Sequence, residues 1–529
     1  MPRKGKCFSS CQKRPKSECE PSECYYTKGN EPRYRYCRLA FTRKMNSECV
    51  PFPKTPEKNL TAKSLTTKSL TTNSLTTNSL TAKRRPMSRE EKSQFRKKVA
   101  TRKIGRFFRK YEPRVRSKFL QSVCSDAGVC IAFGTHADAI RTHFNDFSDF
   151  HLLSKHLKQI GAVSANGFVK ELEYEHKGYR ANAILKSSTK PNADNLLYEA
   201  LVGFFLNKQS KSLPCFLETY GLYKYTENIT YVNLKTMREN RPELLQSGLK
   251  RIAEIPSEIT DSIIRRSSRN PVSLCVLIQH LKEAQTLENM CQSPVFVRND
   301  LVYVLFQVYM ALHTLAGSFT HYDLHNSNVL VYKPVKGKYI EYHYHLEDGT
   351  EFTFKSPYIA KIIDYGRCYY REDKSSNSKT FLKKLCSIDP SCGIVSGYGW
   401  LNKLPNTSSY FISSQTYNSS HDLRLLKILS TLKGRGMEYG LRNIMNKVVY
   451  VSGLSNKELY YGTKSNNVSG LPKHINNVSD AYRDILSYAK TPEVAEHNAI
   501  GYGNKANKLG ELHIYSDRRP MKYRDSASA

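Results

Sequence analysis

The stretch His321-Tyr-Asp-Leu-His-Asn-Ser-Asn328 places acidic, amide and imidazole side chains close together and runs directly into the apolar segment Val-Leu-Val. Farther along the chain, Ile362-Ile-Asp-Tyr-Gly366 again joins apolar residues to an acid and a glycine. A loop that offers a carboxylate and an amide, beside a strand that ends in a second carboxylate, has the ligands to hold magnesium on nucleotide phosphates. The two stretches therefore predict a phosphoryl-transfer site and the fold that assembles it.

The role of each candidate residue follows from its side-chain chemistry. Asp323 would accept or orient the proton of an attacking hydroxyl, while Asn328 and Asp364 would hold the metal ion. Gly366 would let the backbone turn sharply behind the metal ligand. The alternative interpretation is a polar turn between buried strands, and the presence of both stretches in this order favours the site.

A lysine upstream completes the predicted site. Ala181-Asn-Ala-Ile-Leu-Lys186 is a mostly apolar strand pattern that ends in a cation, and a partly buried lysine needs a partner. Glu199 is an acid on an otherwise apolar helix predicted over residues 194–207. We predict an ion pair between Lys186 and Glu199; the alternative is two separate surface charges.

These three segments together resemble the protein-kinase superfamily. His321-Tyr-Asp323 is similar to the H-R-D motif, Asp364-Tyr-Gly366 to D-F-G, and the strand that ends at Lys186 to V-A-I-K. The resemblance covers residues 157–430 and is closest to the divergent serine/threonine kinases of giant DNA viruses. It implies an α+β, bilobal kinase-like fold that uses ATP and Mg²⁺. A small β-rich N-lobe would span residues 157–282, and a larger, mostly helical C-lobe would span residues 283–430.

The resemblance also implies a role for other positions. Lys186 would grip the phosphates, with Glu199 orienting it. The phosphate-loop pattern G-x-G-x-x-G-x-V is met only in part, because Gly161 lies one residue out of register. The implied phosphate-loop residues are Gly161, Ser164, Gly167 and Val169; those for adenine, in a hinge after a strand at 274–278, are Gln279 and Leu281; those that support the catalytic loop are His321, Gly366 and Asp422.

Two departures from the kinase pattern bear on activity. Tyr322 stands where many kinases have the arginine that reads a phosphate on the activation loop, so such activation is not expected. His325 replaces the lysine beside the transferred phosphate, and it could serve there as a cation only at lowered pH or with a raised pKa. An inactive pseudokinase that acts as a scaffold or virion component, and a small-molecule phosphotransferase, remain alternatives to a serine/threonine protein kinase.

The positive charge is concentrated at the N-terminal end. Of the net charge of +35, residues 1–120 contribute +23, from 32 Lys and Arg against 9 Asp and Glu. This composition predicts a disordered basic arm. Within it, residues 83–118 favour a basic amphipathic helix that contacts nucleic acid or another polyanion, docks on the chain's own catalytic part, or lies in solvent. Six cysteines in the arm could bind Zn²⁺, form disulfides or remain thiols: Cys7, Cys11, Cys19, Cys24, Cys37 and Cys49.

The remaining segments are defined by composition. Residues 1–58 are Cys-rich and basic, residues 59–83 form a pentapeptide-repeat linker, and residues 84–156 form a basic helical region. Residues 431–529 extend the C-lobe and favour a helix at 480–490 and a hairpin at 510–523. Neither a membrane-spanning run nor a secretory signal is apparent, so we expect an intracellular protein, in the host cytoplasm or the virion if it is viral.

Overall fold

The computed structural model describes two compact units, Met1–Lys92 and Ser93–Ala529. In the first unit it describes four short strands: β1 (Cys24–Tyr26), β2 (Cys37–Leu39), β3 (Phe41–Arg43) and β4 (Cys49–Pro51). In the second unit it describes residues 142–144, 154–160, 167–176, 179–189, 195–236, 242–388, 398–401, 410–432, 436–448 and 475–525.

Several predictions concern residues beyond these ranges. Gly161 and Ser164 of the phosphate loop, the repeat segment at 59–83 and the basic segment at 83–118 lie outside the described residues. The side chains of the six N-terminal cysteines also lie outside them. The predicted phosphate-loop contacts, polyanion binding and zinc, disulfide or thiol state of the arm therefore stay predictions.

A six-stranded antiparallel sheet forms the first part of the second unit, in the order β5-β6-β7-β10-β8-β9. Residues 167–176 and 179–188 form a long hairpin, which contains the strand pattern predicted to end at Lys186. Phe168, Leu172 and Tyr174 are buried along one strand of that hairpin, with the period of two that a sheet face requires. The strands are β5 (Ser154–Ile160), β6 (Gly167–His176), β7 (Tyr179–Ser188), β8 (Thr219–Tyr225), β9 (Leu249–Ala253) and β10 (Leu274–Gln279).

Helix α1 (Leu196–Gln209) packs against β8 and β10 of this sheet. It begins at Asn195, whose side chain accepts a hydrogen bond from the Tyr198 N–H at 3.1 Å and so caps the first turn. The helix lies so close to β8 that a Cβ on Gly203 would come within 2.0 Å of Thr219 Oγ1. Three helices lie between β8 and β10 in the chain: α2 (Asn228–Thr236), α3 (Pro242–Gly248) and α4 (Asp261–Arg269).

A nearly fully buried helix organises the second part of this unit. After α5 (Leu287–Met290) and α6 (Pro294–Asn299), helix α7 (Leu301–Thr314) runs through the core. Its one central amide, Gln307, donates to the Tyr358 carbonyl at 3.1 Å and accepts from the Ala360 N–H at 3.0 Å. Burial of this polar residue is therefore compensated.

Short strands flank the predicted catalytic loop. The sheet β11-β13-β16 places β13, which follows Asn328, beside β16, which precedes Asp364. The pairing of β12 with β17 closes the other side of the loop. These strands are β11 (Gln285–Thr286), β12 (Phe319–Thr320), β13 (Val329–Tyr332), β16 (Ile359–Ile362) and β17 (Tyr369–Tyr370).

A separate four-stranded sheet, in the order β15-β14-β20-β21, covers α7. A hairpin inserted between β13 and β16 forms its strands β14 (Tyr339–His345) and β15 (Glu351–Ser356). The hairpin predicted at 510–523 forms β20 (Lys508–Tyr515) and β21 (Lys522–Asp525). The two hairpins join through parallel pairing of β14 and β20, which the sequence did not indicate. One face is aromatic and packs on α7, where Phe306 contacts Tyr344, Phe352 and Phe354.

The remaining elements surround this core. They are helices α8 (Ser378–Ile388), α9 (Arg424–Leu429), α10 (Tyr439–Asn446), α11 (Val478–Ala489) and α12 (Pro492–Gly501), and strands β18 (Tyr398–Leu401) and β19 (Tyr410–Ser413). The predicted α+β class is confirmed. Among the described helices, none combines the length and the apolar character needed to cross a bilayer.

Candidate functional site

The loop that follows β12 is braced from below by a buried carboxylate. Asp422 accepts hydrogen bonds from the N–H groups of His321, at 2.8 Å, and Tyr322, at 3.0 Å. Tyr322 has a φ of 64°, a left-handed conformation that a bulky residue adopts only under constraint. Burial raises the pKa of Asp422 to about 7, although the two N–H donors oppose that shift. The predicted supporting residue therefore lies under the predicted catalytic loop.

His321 ties this loop to the strand that carries the second acid. Its Nε2 lies 2.8 Å from the Ile363 carbonyl and so donates to it, and its Nδ1 accepts from the Asp323 N–H at 3.3 Å. Burial lowers the pKa of His321, which keeps the ring neutral and fixes this tautomer. The imidazole thus sets the distance between the two acidic segments.

Lys186 joins the two parts of the unit at the site. Its Nζ lies 2.9 Å from Glu199 Oε1 on α1 and 2.8 Å from Asp364 Oδ1 after β16. The ion pair expected between Lys186 and Glu199 is present, and Glu199 is fully buried. One ammonium therefore bridges a carboxylate of the helix under the first sheet and a carboxylate that follows the loop.

The charges of this cluster are set by their proximity. Burial alone would lower the pKa of Lys186, but the nearby carboxylates of Asp364 and Glu199 more than offset it and raise the pKa above its usual value. The Lys186 ammonium in turn lowers the pKa of Asp364 to about 2. With the lysine and both carboxylates charged, the three groups sum to one negative charge, which suits them to bind a further cation.

Asp364 has a left-handed backbone, with a φ of 70°. The sequence assigned the sharp turn behind the metal ligand to Gly366, but the described glycines with positive φ do not include it. The strained residue of this turn is the acid itself, and its neighbour Tyr365 anchors the turn by donating to the Ile362 carbonyl at 2.8 Å. Gly366 itself lies in the turn that follows, which the Cys368 N–H closes on the Tyr365 carbonyl at 3.3 Å, and its supporting role behind the metal ligand stays a prediction.

Asn328 is held by the loop that precedes it. Its Nδ2 donates to the Asp323 carbonyl at 2.9 Å, and its own carbonyl accepts from the Ile363 N–H at 3.0 Å. The second bond places the residue beside the segment that leads into Asp364. Its side-chain oxygen and the Asp364 carboxylate are the kind of hard oxygen donors that Mg²⁺ takes, so the residues present fit that ion.

Asp323 forms ion pairs with two arginines that sequence analysis missed. Arg367 Nη1 lies 2.9 Å from its Oδ2, and Arg424 Nη1 lies 2.7 Å from its Oδ1. One arginine directly follows Gly366, and the other lies two residues after Asp422. The sequence signal that could have identified them is this closeness to motif residues, because the motif segments meet at the loop that carries Asp323.

His325 does not supply the positive charge that the sequence considered for it. Its Nε2 lies 4.0 Å from Asp323 Oδ1, and its Nδ1 accepts the Ser327 N–H at 3.2 Å. Burial lowers the pKa of His325 below its usual value, so the ring is neutral at neutral pH. The condition of a raised pKa is not met, and Arg367 and Arg424 carry the positive charge instead.

The phosphate-loop residues that the structure describes lie on the strand opposite Lys186. Val169 is the direct cross-strand partner of Lys186, and in an antiparallel pair such partners share one face of the sheet. Gly167 begins the strand, and a Cβ there would approach the Ser187 carbonyl oxygen to 2.3 Å. The glycine is therefore required by the close approach of β6 and β7, whatever its role toward phosphate.

The predicted hinge follows β10, but part of its hydrogen-bonding capacity is used within the fold. The Gln279 N–H donates to the Glu218 carbonyl at 2.8 Å, and the His280 N–H donates to the Asn182 carbonyl at 2.9 Å. Leu281 is buried, and its carbonyl accepts from the Ala284 N–H. The Gln279 N–H and the Leu281 carbonyl are therefore engaged within the fold, and the contact of these two residues with adenine stays a prediction.

Comparison with known proteins gives little beyond this geometry. No family model matches the chain, and no curated protein matches it. Among matching solved structures is "WaaP in complex with acyl carrier protein", which is 11% identical and has a TM-score of 0.21. That match covers 47% of this chain and 78% of the other. A similarity at this level carries no functional argument, so the proposal below depends on the site.

Proposed function

We propose that the chain is an ATP- and Mg²⁺-dependent phosphotransferase, and more specifically a divergent serine/threonine protein kinase with a bilobal kinase-like fold. The observation that supports it most directly is the bridge from Lys186 Nζ to Asp364 at 2.8 Å and to Glu199 at 2.9 Å. An ammonium held by a buried helix acid and by a metal-ligand candidate is the arrangement that positions nucleotide phosphates beside their metal ion.

In this mechanism, Lys186 binds the α- and β-phosphates while Glu199 keeps its ammonium in place. Asn328 and Asp364 would hold magnesium, which when bound neutralises charge on the β- and γ-phosphates. Gln279 and Leu281 would meet the adenine through backbone groups. These residues bind and orient ATP so that its terminal phosphoryl group faces Asp323.

Asp323 orients the attacking hydroxyl. A carboxylate offers about four lone-pair sites, so the two guanidinium bonds leave room for a substrate O–H. The hydroxyl oxygen bonds to the γ-phosphorus, the bond from that phosphorus to the β,γ-bridging oxygen breaks, and ADP leaves with that electron pair. The hydroxyl proton passes to the Asp323 carboxylate, while Arg367 and Arg424 stabilise negative charge on the transferred group.

A second candidate, an inactive pseudokinase that acts as a scaffold, is favoured by the two ion pairs of Asp323 with Arg367 and Arg424. Both carboxylate oxygens accept from guanidinium groups at 2.7 and 2.9 Å, and His325 is neutral. If neither arginine yields to a substrate, nucleotide would bind without transfer. The substrate class also remains part of the proposal, since a small-molecule hydroxyl would satisfy the same chemistry.

The decisive experiment measures transfer of labelled phosphate from ATP to generic protein substrates and to a panel of small-molecule alcohols. We expect Asp323→Asn and Asp364→Asn to lose at least about a hundredfold of the wild-type rate. Asp348→Asn, in the exposed hairpin turn, is the matched control and should retain it. Nucleotide binding without transfer in the wild type would favour the scaffold, and transfer that persists in both site variants would refute the kinase proposal.

A further inference from the structure

The outer face of the β14–β20 pair carries a histidine and glutamate cluster that the proposed phosphotransferase does not use. The two strands are parallel and in register, so Glu341 lies beside Glu511 and His343 lies beside His513. The rings of His343 and His513 stack with their centroids 4.5 Å apart. Potential ligand atoms of His343, Glu511 and His513 all lie within 4.8 Å of one another.

We propose that His343, His513 and Glu511 form a binding site for a divalent transition-metal ion of the zinc type. Two imidazoles and one carboxylate are a ligand set that such ions take, with one position left for water or another ligand. Ligand atoms on tetrahedral zinc lie about 3.3 Å apart, given Zn–N and Zn–O distances of about 2.0–2.2 Å. The cluster therefore needs only a small inward movement to close on the ion.

The hydrogen bonds around His343 fix the tautomer that a metal ligand needs. Its Nδ1 lies 2.6 Å from Glu351 Oε1. This hydrogen bond lowers the pKa of Glu351, so the carboxylate is charged and can only accept. The proton is therefore on Nδ1, and the lone pair is on Nε2. A carboxylate that holds the outer nitrogen of a metal-binding histidine is the usual second partner of such a ligand.

The same carboxylate orients His513 through a second ring. His345 Nδ1 lies 3.5 Å from Glu351 Oε2, and His345 Nε2 lies 3.2 Å from His513 Nδ1. If His345 donates toward Glu351, its Nε2 accepts from His513 Nδ1–H, and His513 then has its lone pair on Nε2.

Both lone pairs face carboxylate oxygens. His343 Nε2 lies 3.4 Å from Glu341 Oε1, and His513 Nε2 lies 3.7 Å from Glu511 Oε2. Each Nε2 is buried without a hydrogen-bond partner among the described residues. Two acceptors that face each other repel unless a cation lies between them, and a metal ion would satisfy these nitrogens and oxygens together.

Lys508 orients the carboxylates of Glu341 and Glu511 and does not occupy the proposed metal site. Its Nζ binds Glu511 Oε1 at 2.6 Å and Glu341 Oε2 at 2.9 Å. In each acid it takes the oxygen that does not face a histidine nitrogen, so the other oxygen remains directed at the imidazole. The lysine thus holds the glutamates as Glu351 holds the histidines. A bound ion would fasten the inserted hairpin to the C-terminal hairpin.

The test uses the full-length protein, stripped of metal with a chelator and titrated with Co²⁺ alone and, separately, with Zn²⁺ alone. Because the N-terminal cysteines could also bind these ions, cobalt is followed both by its d–d bands and by its sulfur-to-metal charge-transfer band. We expect His343→Gln/His513→Gln to lose one equivalent of metal per chain and its d–d intensity. The charge-transfer band should stay unchanged. His497→Gln, an exposed histidine elsewhere on the unit, should bind as the wild type does.

Two single variants keep the test decisive if the double variant does not fold. Glu511→Gln preserves the shape of a ligand but removes its charge, and we expect at least about tenfold weaker binding. Glu351→Gln leaves every ligand in place and should weaken binding by about 10- to 100-fold through loss of orientation. Equal metal content and affinity in these variants, in His497→Gln and in the wild type would overturn the site.

Discussion

Replacing Lys186 by methionine tests the charge arrangement of the site through the stability of the fold. The ammonium is the bridging partner of Glu199, whose carboxylate is fully buried, and of Asp364, which is partly exposed. Water can solvate Asp364 after the replacement but cannot reach Glu199. Most of the cost therefore arises at Glu199, and removing one partner of a buried pair costs about 3–5 kcal/mol.

The magnitude can be resolved with a double-mutant cycle. Glu199→Leu alone leaves Lys186 bound to Asp364 and should cost about 1.5–3 kcal/mol, the worth of a charged hydrogen bond. In Lys186→Met/Glu199→Leu the buried carboxylate is gone as well. The double variant should then lose less free energy of unfolding than the two single variants lose in sum, by at least about 1.5 kcal/mol.

The assay is urea unfolding at neutral pH with linear extrapolation, with nucleotide binding measured on the same samples. Lys447→Met is the matched control, because this lysine has a similar exposure of 28% but pairs with an acid, Asp484, that is itself 27% exposed. That variant should lose no more than about 1 kcal/mol. Additive losses within the cycle, or a Lys186→Met loss no larger than the control's, would refute the buried-pair reasoning.

Three further perturbations address other parts of the structure. Arg424→Gln removes one guanidinium from Asp323 and should lower the free energy of unfolding by about 1.5–3 kcal/mol in urea. The control is Arg483→Gln, which breaks the surface pair of Arg483 with Asp480 and should lower the free energy of unfolding by under about 1 kcal/mol. Equal losses in the two variants would contradict the prediction. The raised pKa of Asp422, about 7 against an ordinary 3.8, means that the folded state holds an extra proton between those values. Stability from this proton is fully present below pH 3.8 and is lost as pH rises through 7. Asp422→Asn should therefore remove a fall in the urea midpoint between pH 3.8 and 7, and an unchanged slope in that range would contradict the shift. Gly203→Ala should cost about 1–3 kcal/mol by thermal or urea unfolding, because its Cβ meets Thr219; a neutral result would contradict the close packing.

Local patterns in the sequence were sufficient for the elements that carry the site. The strand that carries Lys186 and the apolar helix around Glu199 could be predicted because their patterns lie within one segment of the chain. The pairing of Lys186 with Glu199 followed from elementary electrostatics, since a charge on a buried apolar helix requires a partner.

Other features depend on contacts between distant segments, which a single sequence does not reveal. In the sequence Arg367 and Arg424 cannot be told from ordinary surface cations. In the structure, the segment before β17 and the start of α9 bring them to Asp323. The left-handed conformation of Asp364 was not predicted, because glycine is the residue that adopts it without cost and the sequence offers one two residues later. Here the surrounding packing imposes the conformation on an acid.

The parallel joining of β14 to β20 means that the last residues of the chain complete a sheet whose first half is inserted far upstream. A fragment ending before Lys508 would retain every residue of the proposed phosphotransferase site. It would nevertheless leave the backbone N–H and C=O groups along one side of β14 without their ladder partners. Such a bare strand edge is a template for another chain, so a trimmed catalytic fragment should self-associate where the whole chain does not.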